Sequence, residues 1–224
     1  MIVGSGLIAS AFLRLSSESL KNDFVIFASG VSNSSENDVD GYLREQKLLE
    51  DIIKDSETPI IYFSSVLASI VETPYYNHKL NMENILKNSS KEYLIFRIPQ
   101  VVGFGGNKNT LLNFLKCSIN TKQVIKTNKI VERAIVDVDD LVKIVDYCKS
   151  FLGTLTISKI EKIKVIDLCV LIGDRLEKHP VLNILNSNQF EDWYLENSKE
   201  IDEAIKDLKI QVCGYTERLV EKYI

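Results

Sequence analysis

Apolar residues along the chain follow two rhythms. Short apolar runs at 1–3, 24–27, 59–63 and 93–98, the last interrupted only by Arg97, alternate with stretches where apolar residues recur every three or four positions. Runs of this length suit strands buried on both faces of a parallel sheet. The longer spacing marks amphipathic helices, here over 7–15, 43–53, 75–86 and 110–119. Residues 31–40 are polar and read as a loop. Beyond residue 122 the pattern loosens. It predicts short strands at 123–125, 134–136 and 154–158, and helices over 139–151, 165–176, 198–208 and 215–223. Acidic residues open the helix at 139, where they suit the positive end of its dipole. Asp167 is placed to cap the helix that starts at 165. Strand–helix alternation throughout predicts an α/β chain: a Rossmann-like parallel sheet flanked by helices.

Composition narrows the field. With 224 residues, 45% hydrophobic and 26% charged, the chain reads as an ordinary globular domain. A net charge of −4 argues against a nucleic-acid partner, which needs a basic face. No apolar run approaches the roughly 18 residues of a membrane span, and the glycine-rich start does not read as a signal peptide. A cytoplasmic protein without a membrane partner is expected. Cys117, Cys148, Cys169 and Cys213 are scattered, with no CxxC, and read as buried reduced thiols. Two histidines cannot build a His-rich metal site, so no metal is expected.

Candidate chemistry begins in the first loop. Gly4-Ser5-Gly6-Leu7-Ile8-Ala9 follows a strand and opens a helix. In such a Gly-x-Gly-x-x-Ala loop the first glycine permits the tight turn. The second lets backbone approach a pyrophosphate, and the alanine lets helix pack on strand. The helix N-terminus adds amide donors. Tyr75 and Lys79 lie four apart on one helix face, where an ammonium beside a phenol favours the phenolate and makes a usable acid/base. The competing reading of that pair is a solvated helix face. Ser64 and Ser65 end a strand, where ligands meet an open parallel sheet. Arg97-Ile98-Pro99-Gln100-Val101-Val102-Gly103 leads into a glycine-rich loop. Arg133 precedes Val136-Asp137-Val138-Asp139-Asp140; its fork suits a diphosphate, or else a surface ion pair.

In this order the motifs resemble the extended short-chain dehydrogenase/reductase family, which includes nucleotide-sugar epimerases, dehydratases and 4-keto reductases. The resemblance spans nearly the whole chain. It implies Tyr75 as proton donor or acceptor, Lys79 on the nicotinamide ribose, and Ser65 on the reacting oxygen. It implies cofactor contacts from Gly4, Gly6, Leu7, Ile8, Ala28, Ser29, Gly30, Ser64, Pro99 and Val101. Gln100 and Arg133 would face the substrate, with Arg133 gripping its diphosphate. The cofactor would be NAD or NADP, with NADP(H) favoured. The substrate would be a nucleotide-activated sugar, and the partner a second copy of the chain, packed through the helices at 43–53 and 75–86. One domain, 1–224, is expected: 1–120 forms mainly the cofactor core, and 121–224 adds mixed core and a small substrate-side lobe.

Two departures stand out. Only residues 16–23 fill the space where the family places a strand, a helix and another strand, so two family strands are missing. With them goes the acid that grips the adenosine ribose. The segment 66–74, between serine and tyrosine, is about half the family's length, which predicts a more open pocket. Val66-Leu67 stands where a dehydratase carries an Asp-Glu pair, so reduction of a 4-keto-6-deoxyhexose, or epimerisation, is favoured over dehydration. The rival readings are a non-catalytic Rossmann-like scaffold and a sugar-nucleotide binding module without redox chemistry.

Overall fold

A computed structural model describes residues 1–31, 39–185 and 195–224. The first half runs β1 (Ile2–Val3), α1 (Leu7–Leu15), α2 (Glu18–Asp23), β2 (Val25–Phe27), α3 (Val39–Asp55), β3 (Ile60–Ser65), α4 (Pro74–Lys87), β4 (Tyr93–Ile98), β5 (Gln100–Val102) and α5 (Leu111–Asn120). The second half runs β6 (Ile125–Thr127), β7 (Glu132–Asp137), α6 (Val138–Tyr147), β8 (Gly153–Thr156), β9 (Lys162–Lys164), α7 (Val165–Leu176), β10 (Leu182–Ile184), α8 (Lys199–Asp207) and α9 (Tyr215–Tyr223).

The main sheet is parallel throughout, in the order β1-β2-β3-β4-β8. Both faces are buried, which explains the apolar runs. Val25, Phe27, Ile60, Tyr62 and Ile95 pack on Leu49 and Ile52 of α3 and on Met82 and Leu86 of α4. Their neighbours Ile26, Ile61, Phe63, Leu94 and Phe96 share the opposite core with Phe12 of α1 and Leu141, Val142 and Val145 of α6. Each fully buried side chain contributes about 1.5–3 kcal/mol.

The order of strands in space follows their order in the chain, so β1 is an edge. Among the described residues, no strand lies beyond it where the family resemblance would set two. Between α1 and β2 the chain makes only α2, whose cap, Ser17 Oγ, accepts from the Leu20 amide at 3.2 Å.

A smaller lobe follows. β5 pairs parallel to β7, β9 pairs antiparallel to β7, and β6 pairs with β10. The sequence pattern does not predict β9 or β10. Asp167 lies in the first turn of α7 but is not its cap, which is Lys164 with no side-chain bond. The working cap is Asp137, whose side chain accepts from the Asp139 amide at 2.8 Å at the start of α6. That helix ends at Tyr147, short of 151. α3 begins at Val39, and residues 32–38 of the expected polar loop lie outside the described residues. Cys148 and Cys169 are buried, and burial pushes both thiols up to about 11. Cys117 and Cys213 are exposed, against expectation.

The Val-Asp-Asp segment fastens the C-terminal helix. Asp137 accepts from Lys222 Nζ at 2.8 Å and from the Tyr223 hydroxyl at 2.7 Å. Asp139 takes Lys222 and Arg14, and Asp140 takes the Tyr215 hydroxyl. No helix among the described residues is long and apolar enough to cross a membrane.

Candidate active site

The C-terminal ends of the main strands open into a cleft of about 1530 Å³. That exceeds the roughly 300–1,000 Å³ typical of a single small-molecule pocket, so two ligands can share it. It is lined by every site residue expected from the sequence except Gly4.

Gly4 shapes the loop from beneath. Its φ is +124°, and an added Cβ would collide with the Ala28 carbonyl, so only glycine lets β1 turn so close to β2. Gly6 caps α1 without a side-chain bond, and a Cβ there would meet nothing within 4 Å. The first amides of α1 have no acceptors inside the helix, so they face open space suited to an anion. Ala9 is fully buried where α1 meets the sheet.

Pro74 starts α4, and Thr73 Oγ1 accepts from the Tyr76 amide at 3.3 Å. Proline at this position costs no helical bond. The cap fixes Tyr75 in the first turn beside the strand ends, with Lys79 one turn further. Lys79 Nζ lies 5.9 Å from the centre of the Tyr75 ring. Ser65 Oγ accepts from the Leu67 amide at 3.3 Å, which leaves its O–H free to donate. Ser64 is buried and faces Glu83.

Pro99 is the crossing point between β4, in the main sheet, and β5, in the smaller one. It has no amide to give to either ladder, and Gln100 and Val101 follow it on the cleft wall. Arg133 is exposed on the lobe side, and its Nη1 donates to the Glu132 carbonyl at 2.8 Å. Arg97 is taken up elsewhere. Its guanidinium holds Glu83 in two bonds of 2.9 and 2.8 Å and reaches Ser69 Oγ at 3.0 Å, pinning the short segment 66–74. Burial raises the Glu83 carboxyl, but bonds from Arg97 and Lys87 outweigh it and hold the group low.

Sequence reasoning missed the groups behind Lys79. Glu45 of α3 is buried, and its Oε1 accepts from Lys79 Nζ at 3.0 Å and from the Tyr62 hydroxyl at 3.1 Å. Its Oε2 lies 3.0 Å from His78 Nε2 and 2.8 Å from the Val31 amide. Burial works against the Glu45 charge. The Lys79 charge and the bonds from His78, Val31 and Lys79 outweigh it and bring the carboxyl to about 2. Burial also pushes the Tyr62 phenol well up. A signal existed in the sequence: Glu45 shares the helix stripe of Gly41, Leu49 and Ile52, all buried. A Cβ on Gly30 would come within 2.6 Å of Lys79 Nζ, so the ammonium occupies the space a side chain would need. Among the described residues no cluster of His, Cys, Asp or Glu could hold a metal ion.

No family model matches the sequence, and no curated protein sequence matches it. Solved structures do. A UDP-glucuronic acid 4-epimerase from Bacillus cereus, in complex with UDP-glucuronic acid and NAD, superposes with a TM-score of 0.68 at 16% identity, covering 89% of this chain and 73% of that one. A UDP-glucose 4-epimerase from Thermus thermophilus, in complex with NAD, gives 0.68 at 13% identity, covering 95% and 78%. A UDP-N-acetylglucosamine 4-epimerase from Methanobrevibacter ruminantium gives 0.65 at 17% identity, covering 89% and 74%. The chain therefore has the fold that these epimerases share, which is the fold the sequence resemblance implies.

Proposed function

We propose that this chain is an NAD(P)-dependent oxidoreductase or epimerase of the short-chain dehydrogenase/reductase type, acting on a nucleotide-activated sugar, and that its reaction is reduction of a 4-keto-6-deoxyhexose. The observation that carries the reading is convergence. Ser65 at the end of β3 and the Tyr75–Lys79 pair of α4 line one cleft with the glycine loop after β1 and with Gly30 after β2. The Lys79 ammonium fits against a glycine that leaves it room.

The residues present fit the diphosphate and nicotinamide portions of such a cofactor. Gly6, Leu7 and Ile8 would hold the diphosphate through backbone amides, above the turn that Gly4 permits. Ala28, Ser29, Gly30 and Ser64 would flank it, and Lys79, Pro99 and Val101 would meet the nicotinamide end. The reduced cofactor supplies a hydride when bound. The chain's own groups do the rest. Tyr75 gives its phenolic proton to the keto oxygen as that oxygen becomes an alkoxide. Ser65 donates a hydrogen bond to the same oxygen. Lys79 places positive charge beside the ring as the proton leaves. Gln100 would contact the sugar, and Arg133 would grip the diphosphate of the substrate. A homodimer through the outer faces of α3 and α4 is part of the same proposal.

Incubation with NADPH or NADH and a panel of keto-sugar nucleotides tests it: loss of the reduced-nicotinamide absorbance that depends on Tyr75 supports the reading. One observation favours the scaffold instead, namely the sheet edge at β1, which leaves the adenosine side without its usual strand. Failure of both cofactors to bind at millimolar concentration would favour that alternative.

A further inference from the structure

Glu45 is charged, buried and outside the reacting groups named above. Its side chain is 0% exposed and that of Lys79 is 4% exposed. Burying either charge alone is costly, and an uncompensated buried lysine sheds its proton. Among the described residues, the groups that face Lys79 are few. α3 offers Glu45, β3 offers Tyr62 at 3.3 Å, α4 itself offers Tyr75, and the turn after β2 offers the backbone of Gly30. Of these, only Glu45 carries negative charge at neutral pH. It is itself held from four sides, by Lys79, Tyr62, His78 and the Val31 amide, and His78 is stacked on Tyr42 at 4.5 Å. The carboxylate is therefore fixed before any ligand arrives.

We propose that Glu45 is a positioning residue for the reaction proposed above: it fixes the Lys79 ammonium beneath Gly30 and beside Tyr75, and keeps it charged throughout the pH range in which Tyr75 works. Lys79 has three N–H donors. Glu45 and Tyr62 take two of them, which leaves one for a ribose hydroxyl. This step rests on the functional reading for Tyr75 but not for the charge of Lys79, and the two can fail separately.

The test is a pH titration of the Lys79 Cε signal by NMR on the full chain with 13C-labelled lysine, assigned by its loss in Lys79→Arg. In the parent chain Lys79 stays charged to at least about pH 10. In Glu45→Gln its midpoint falls by about two units or more, and Glu45→Asp restores most of the difference. The pH profile of kcat/KM for Glu45→Gln then gains an alkaline limb at that lowered midpoint, which loss of a mere structural staple would not produce. A Glu45→Gln chain whose Lys79 titrates like the parent's overturns the proposal. If that variant does not fold, the parent titration decides, and a midpoint below about pH 10 overturns it. Absence of any turnover in the parent chain would sink the functional reading while leaving the titration result standing.

Discussion

Lys79 Nζ and Glu45 Oε1 meet at 3.0 Å in the space between α4 and α3, with Glu45 fully buried and Lys79 4% exposed on the cleft wall. This contact joins the two helices on one face of the sheet, and it sets the position of an ammonium 5.9 Å from the centre of the Tyr75 ring.

The first prediction is acid lability. The Glu45 carboxyl is lowered from 4.5 to about 2 in the folded chain. A depressed carboxyl contributes stability that is fully present above its unfolded value and is lost as pH falls toward the folded one. Melts followed from about pH 4.5 to pH 2 should therefore show Tm falling, with a loss of unfolding free energy on the order of 3 kcal/mol from this group. The neutral double variant Glu45→Gln/Lys79→Met should lose that part of the slope. An unchanged slope would show that Glu45 is not the group responsible.

Breaking the pair from either side should cost more than removing it whole. Lys79→Met leaves a buried carboxylate without its cation, and such truncations cost about 3–5 kcal/mol. The double variant should be more stable than Lys79→Met alone. Denaturant melts of the two single variants and the double variant measure the coupling directly, and additive effects would contradict it.

Gly30 and Gly6 should answer differently to alanine. At Gly30 a Cβ falls 2.6 Å from Lys79 Nζ, so the ammonium must shift. Displacements of that kind cost roughly tenfold to a hundredfold in kcat/KM. At Gly6 a Cβ meets nothing within 4 Å, and the backbone is extended with φ −78°. Gly6→Ala should leave Tm unchanged and weaken cofactor binding, since the new methyl stands where a diphosphate would approach. Calorimetric titration with NADPH and NADH, alongside melts, separates the two.

The C-terminal helix should unfasten when its hydroxyls are removed. Tyr215→Phe loses the bonds to the Asp137 amide and to Asp140, at 2.9 and 3.0 Å. It leaves a buried amide unpaired, at a cost of about 1–3 kcal/mol. Hydrogen exchange in α9 should rise with it, and unchanged protection there would count against the latch.

Much of this architecture was legible in the sequence. Val25-Ile26-Phe27 and Ile60-Ile61-Tyr62-Phe63 announced strands because both faces are buried, and Leu7–Leu15 announced a helix by its spacing. The missing edge strands were legible too, because eight residues cannot hold a strand–helix–strand unit. β9 (Lys-Ile-Lys) and β10 (Leu-Asn-Ile) were not, since three-residue strands at a half-exposed edge leave no pattern. α2 was hidden for the same reason: six residues are too few for a helical period to show. The candidate site was legible as far as its cleft-facing members, Ser65, Tyr75, Lys79 and the glycines. Its supporting members were not. A glutamate in an amphipathic helix reads as solvated, and only the burial of its stripe reveals Glu45. Asp139 and Asp140 read from the sequence as acidic residues opening a helix, and in the fold they, with Asp137, also fasten α9.

The proposed role of Tyr75 is to deliver the proton in a reduction driven by a nicotinamide cofactor. Its most direct test is the rate of NADPH or NADH oxidation with a 4-keto-6-deoxyhexose nucleotide, for the parent chain and for Tyr75→Phe. Turnover is predicted in the parent, with a loss of about 10²–10⁴-fold in Tyr75→Phe while the fold and cofactor affinity are retained. Equal rates in the two chains would contradict it.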